Sequence, residues 1–166
     1  MNIFKDITLI YVAHKSDSII KKNIDIIKLF NVIIVENSNS SDLKNYLSKF
    51  DNITFINSPN LGFGHANNLA VNNAQTPYIF IVSPDIFFTI SSLELLYNEF
   101  LSYNNAGVAG PSLFDLSNVR RRNSSLSFLK KKIYRNSFQR KISKNIDQTL
   151  ADGNISCDYI IGCAML

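Results

Sequence analysis

Three groups of residues in this chain have types and spacing that could do chemistry. Glu36 closes the apolar run "NVIIVE", and the small polar residues "NSNSSD" follow it. Asp85 stands just past a second apolar run, in "YIFIVSPD". Between them Gly62 and Gly64 sit one residue apart in "NLGFGHANNLAVNN". A carboxylate at a strand tip can accept hydrogen bonds from a ribose or a uracil-type edge, or it can hold a divalent cation that bridges a diphosphate. Mg²⁺ and Mn²⁺ take oxygen ligands and often bind through one or two carboxylates plus the phosphates. A glycine pair ahead of a helix has the form of a phosphate-cradling loop, and equally of an ordinary turn that needs positive φ. Asp85 could likewise do no more than cap the next turn, as Asp after Pro often does. His14 and His65 have no placed partner, which is the pattern of structural rather than catalytic histidines.

The elements that must position these residues alternate along the chain. "ITLIYVA" predicts a strand, and "HKSDSIIKKNIDIIKLF" a helix with Ile20, Ile24 and Ile27 on one face and Ser16 or Asp17 as cap. "NVIIVE" predicts a strand, "DLKNYLSKF" a helix, "ITFIN" a strand, "HANNLAVNNA" a helix and "YIFIVS" a strand. "SSLELLYNEFLSY" predicts a helix with Leu93, Leu96, Tyr97 and Phe100 on its apolar side, and "GVAGPSLF" a short fifth strand. Strands apolar throughout, separated by amphipathic helices, indicate an α/β fold with a mostly parallel sheet covered on both faces. Ligands on such sheets bind outside the carboxyl ends of the strands, where Ala13, His14, Glu36 and Asp85 fall.

Position decides against a dinucleotide site. That fingerprint needs G-x-G-x-x-G in the first strand-to-helix turn, and the first turn here, "AHKSDS", has no glycine. The Gly62/Gly64 pair follows the third strand, and Asn67 occupies the place of the third glycine. The Lys-Ser/Thr pair of a P-loop is absent as well.

A length of 166 residues allows one domain with a sizeable core, and 46% hydrophobic with 18% charged residues reads as globular. The net charge of +4 is too small to argue for nucleic acid, and no recognition motif accompanies it. Cys157 and Cys163 lie in one apolar segment without disulfide or metal-ligand spacing, as buried free thiols of a reducing compartment would. The longest apolar region, "YIFIVSPDIFFTI", is interrupted by Pro84 and Asp85 and is too short to span a bilayer. The chain therefore reads as soluble and cytoplasmic. Over residues 117–146 the alternation stops and the sequence turns strongly basic. Arg120 to Lys144 reads as a solvated face or a mobile insertion. With Leu126, Phe128, Leu129 and Ile133 among its charges, it reads alternatively as a peripheral contact with an anionic membrane or a lipid-linked diphosphate acceptor.

The segments "ITLIYVAHKS", "VIIVENSNSSD", "NLGFGHANNLAVNNAQTPYIFIVSPD", "GVAGPSLFD" and "DYIIGCAML" come in an order and spacing that resembles the inverting family 2 glycosyltransferases, closest to their rhamnosyltransferase-like branch. The resemblance covers nearly the whole chain and is most specific from Asn60 to Asp85. It implies a GT-A-type, Rossmann-like nucleotide-sugar-binding domain over residues 1–166. It implies that Ala13 and His14 present backbone to the nucleotide base and that Glu36 contacts base or ribose, where the family usually has aspartate. Gly62, Phe63 and Asn67 would border the nucleotide and the sugar. Asp85 would be the metal-proximal carboxylate, for Mg²⁺ or Mn²⁺. Ser83 takes the place of the asparagine in the branch's usual Asn-Pro-Asp, and the fuller Asp-x-Asp pair is absent.

In the family the general base lies beyond the Gly-Cys-Ala-Met-Leu segment, so none of the residues present is assigned that role and the chain reads as the donor-binding half. The implied activity is inverting transfer of a sugar, rhamnose by the branch, from a nucleoside diphosphate sugar to a surface polysaccharide or lipid-linked acceptor. A non-catalytic nucleotide-sugar-binding module is the competing reading.

Overall fold

In a computed structural model of the chain the described residues are 2–104, 106–111, 113–114, 120–121 and 164–166. The expectations for Cys157, for Cys163 and for most of the basic stretch lie outside them. The chain divides into two units, Met1–Gly110 with Gly162–Leu166, and Pro111–Ile161.

The first unit is built on a five-stranded sheet in the order β3-β2-β1-β4-β7. Strands β1 (Ile7–Ala13), β2 (Asn31–Glu36), β3 (Ile53–Asn57) and β4 (Tyr78–Val82) match the expected runs and pair in parallel. Strand β7 (Ala164–Met165) adds antiparallel to β4, with Val82 opposite Ala164. Beyond it, Ala109 and Leu166 exchange two backbone hydrogen bonds of 2.8 Å each. The expected fifth strand over "GVAGPSLF" is therefore corrected. Ala109 pairs with Leu166, while β5 (Leu113–Phe114) pairs antiparallel with β6 (Arg120–Arg121) in a separate two-stranded sheet of the second unit.

Side-chain alternation along the strands sends successive residues to opposite faces. On one face Ile10, Ile33 and Val35 pack against Ala66 and Ala70 of α5 (Phe63–Val71), whose small side chains let the helix lie close to the sheet. On the other face Tyr78 meets Tyr97 edge-on at 5.3 Å, which docks α6 (Ile90–Ser102). The Thr89 side chain and Ser92 form a reciprocal capping box that starts α6. An unexpected short α1 (Ile3–Asp6) precedes β1, and the Tyr97 hydroxyl donates to Asp6 at 3.2 Å. Burial first, and then the Asp6 carboxylate, push the Tyr97 hydroxyl pKa up to about 12.

The helix expected between the first two strands is two short ones, α2 (Asp17–Lys22) and α3 (Ile24–Ile27), parted at Asn23. Ile20 and Ile27 are buried as expected. Helix α4 (Ser41–Leu47) begins at Ser40, whose Oγ accepts from the Leu43 N–H at 3.1 Å. With α5 and α6 on opposite faces and β1 and β2 almost wholly buried, the sheet is a rigid platform with its polar residues at the carboxyl edge.

Candidate functional site at the carboxyl edge of the sheet

Parallel pairing brings the ends of β1 to β4 to one edge. Ala13 is opposite Glu36, and Glu36 opposite Asn57. Ala13 is fully buried, and its carbonyl accepts from the Asn37 N–H at 2.9 Å. His14 is exposed and opens the next loop.

Glu36 is fully buried, unlike almost any carboxylate that has no charged partner. One of its oxygens, Oε1, is committed to Ser38: the backbone N–H donates to it at 2.5 Å and the hydroxyl donates to it as well. The other, Oε2, is buried with no partner among the described residues. A buried acceptor left unpaired costs about 1–3 kcal/mol, which makes Oε2 a candidate acceptor for a donor from outside the described residues. Ser38 is itself held, since its Oγ accepts from the Lys15 N–H at 3.0 Å. Ser40 donates to Asp17, tying the loops after β1 and β2 together a second time. Each of these loops carries a non-glycine residue at positive φ, Lys15 at 54° and Asn39 at 61°. Asparagine tolerates that conformation, whereas for lysine it costs about 1–2 kcal/mol that its neighbours must offset. Sequence reasoning missed Ser38 and noted only that small polar residues follow Glu36.

Helix α5 starts two residues earlier than expected, at Phe63, which puts Phe63 and Gly64 inside it and makes Gly62 the N-cap. Gly62 has φ 98°, so a side chain there is strained. Gly64 differs only in its ordinary φ, since a Cβ at either glycine would meet nothing within 4 Å. Packing inside the chain therefore does not require glycine at 64, and the first turn of α5 is open to an approaching group. Phe63 is half exposed. Asn67 is buried, its Nδ2 donates to the Phe63 carbonyl at 3.0 Å, and its Oδ1, like that of Asn37, has no partner among the described residues.

Asp85 is presented on a turn closed by a 3.0 Å bond from the Ile86 N–H to the Ser83 carbonyl, with Pro84 in the second position where its fixed φ suits. Its carboxylate is exposed and bonds to none of the described residues. No group of three His, Cys, Asp or Glu able to cage a metal occurs among the described residues. A divalent cation here fits only the open manner of binding, one free carboxylate with the remaining positions filled by phosphate and water.

A mostly parallel sheet flanked by helices, with its unpaired acceptors at the carboxyl edge, defines a Rossmann-like α/β domain of the GT-A type. The chain belongs to glycosyl transferase family 2, whose model matches residues 9–165. Among curated proteins, none matches the sequence. Among the described residues no helix is long and apolar enough to cross a membrane.

Proposed function

We propose that this chain binds the nucleoside diphosphate sugar donor of an inverting glycosyltransferase, with the base at Glu36 and the diphosphate near Asp85. The observation that carries this is Glu36, a wholly buried carboxylate at a strand tip with one oxygen tied to Ser38 and the other unpaired. One unpaired oxygen suits a base that offers one imide N–H, such as uracil or thymine. Guanine presents an adjacent N–H and NH₂ pair that both carboxylate oxygens would have to meet.

In this arrangement Gly62, Phe63 and Asn67 border the ribose and sugar, and the open first turn of α5 takes a phosphate at its N–H groups. Ala13 and His14 line the base from β1. Asp85 would hold Mg²⁺ or Mn²⁺, which supplies positive charge against the leaving diphosphate. In the transfer, the acceptor hydroxyl oxygen bonds to the anomeric carbon as that carbon's bond to the phosphate oxygen breaks. The nucleoside diphosphate leaves with the electron pair, and the hydroxyl proton passes to a general base. Glu36 and Asp85 are occupied with the donor, so neither is that base. The sugar is rhamnose by the resemblance, and the acceptor a surface glycan or lipid-linked precursor. Arg120–Lys144, with ten basic residues and no acidic one, supports peripheral attraction to an anionic membrane that carries such an acceptor.

A thermal-shift titration with UDP, dTDP, GDP and NAD⁺, each with and without Mn²⁺, tests the reading. A ligand at a hundred times its Kd adds about 2.7 kcal/mol of stability. The expected result is stabilisation by UDP or dTDP that exceeds that by GDP and grows with Mn²⁺. A response to NAD⁺ alone, or to no diphosphate, overturns it.

A further inference from the structure

We infer that Asn23 is a positioning residue for Asp85, holding the peptide from which that carboxylate projects; the inference rests on the donor-site reading of Asp85 given above. Ile20, Ile24 and Ile27 share a helical face, and a continuous helix through residue 23 would keep them there. Instead α2 ends and α3 begins at Asn23, with φ −92° and ψ 2°. Its backbone serves both helices: its N–H bonds to the Ile19 and Ile20 carbonyls, and its carbonyl accepts from the Ile26 and Ile27 N–H groups. Asparagine is favoured at helix starts because its side chain caps them, yet here the side chain makes no capping bond to α3. It reaches 61 residues along the chain, and Nδ2 donates to the Pro84 carbonyl at 3.2 Å in a part-buried position. Because the acceptor is a carbonyl, only the amide nitrogen can face it.

The Pro84 carbonyl belongs to the same planar peptide unit as the Asp85 nitrogen. Fixing that oxygen fixes the plane, and with it the direction in which the Asp85 side chain leaves the backbone. The turn has its own bond from Ile86 to Ser83, while the Asp85 carboxylate touches no described partner that could orient it. Beside Asn23 lies a small cleft lined by Tyr11, Ile27, Phe87 and Phe88. The helix break thus sends one amide to the turn where the diphosphate end of the donor would be held.

The test compares wild type, Asp85→Ala, Asn23→Ala and Asn23→Leu by calorimetry, the last keeping the shape of asparagine without its donor. The probe is whichever of UDP, dTDP and GDP binds wild type most tightly, with and without Mn²⁺, and the matching monophosphate without metal is the control. Asp85→Ala is expected to abolish the gain in diphosphate affinity that Mn²⁺ confers. Both Asn23 variants are expected to reduce that gain about fivefold, the size of one lost hydrogen bond, and to leave monophosphate affinity within about twofold. Should Asp85→Ala abolish the gain while both folded Asn23 variants retain it, the positioning role is overturned and the donor site stands. Equal losses for monophosphate and diphosphate in the Asn23 variants also overturn it, since they would mark a merely structural residue. If Asn23→Ala does not fold, Asn23→Leu decides. A gain that survives Asp85→Ala, or a wild type that binds no diphosphate, overturns the donor-site reading itself and the inference with it.

Discussion

The tip of β2 and the turn after β4 each carry a carboxylate, and the two are treated in opposite ways. Glu36 is sealed from water, with one oxygen clamped by the Ser38 N–H and hydroxyl and the other unpaired. Asp85 stands in solvent, and its carboxylate has no partner among the described residues. A sealed acceptor of fixed direction discriminates, because a wrong partner leaves a buried group unsatisfied. An exposed carboxylate on a held turn costs little to keep charged, and it gains a strong partner only when a cation and phosphate arrive together. On the proposed reading, one tip would select by shape and donor pattern and the other by charge.

The largest effect that sharpens this contrast is expected at Glu36. Glu36→Gln keeps the bonds to Ser38 but turns the inward oxygen into an N–H donor, and should weaken UDP or dTDP binding roughly 30- to 100-fold, measured by calorimetry. A loss that falls equally on GDP would break the contrast. At Asp85, Asp85→Asn should cost about tenfold in diphosphate affinity with Mn²⁺ and almost nothing without it, a difference that rests on charge alone. The glycines divide in the same sense. Gly62→Ala, forced to φ 98°, should lower stability by about 1–2 kcal/mol in urea unfolding. Gly64→Ala should leave stability unchanged or raise it by up to about 1 kcal/mol, yet weaken diphosphate binding, since on the proposed reading its Cβ enters open space that the donor would occupy. The smallest effect is a control at the other end of the sheet. The Tyr97 hydroxyl keeps its proton to about pH 12 when folded and loses it near 10 when unfolded, so its contribution is complete below pH 10 and declines between 10 and 12. Tyr97→Phe should flatten that alkaline decline in a stability-versus-pH series without changing nucleotide affinity.

The sequence reading and the fold agree where periodicity carries the information. The four parallel strands fall on the expected runs, because residues buried on both faces leave an unbroken apolar signature. Leu93 and Tyr97 are the buried side of α6, as their spacing predicts. Disagreement begins where a side chain overrides local pattern. Nothing in "KKNID" shows that Asn23 will send its amide to Pro84, and nothing in "ENSNS" shows that Ser38 will occupy one oxygen of Glu36. Both contacts exist only once distant loops have been brought to one edge. The early start of α5 is a smaller instance: glycine at 62 and 64 argues against helix on propensity, but positive φ at Gly62 makes it a serviceable N-cap and the Ala66–Ala70 face secures the rest.

The pairing of Ala109 with Leu166 has a consequence for how much the intervening chain can vary. Those two residues close a loop that contains everything from 110 to 165, and loop-closure entropy grows only with the logarithm of length, so doubling the loop would add about 0.6 kcal/mol. Strands β1 to β4 assemble from residues 7–82 without it. The pairing of Ala109 with Leu166, like that of β4 with β7, thus ties the two ends of a long stretch of chain to the sheet at a closure cost that depends only weakly on the number of residues between them.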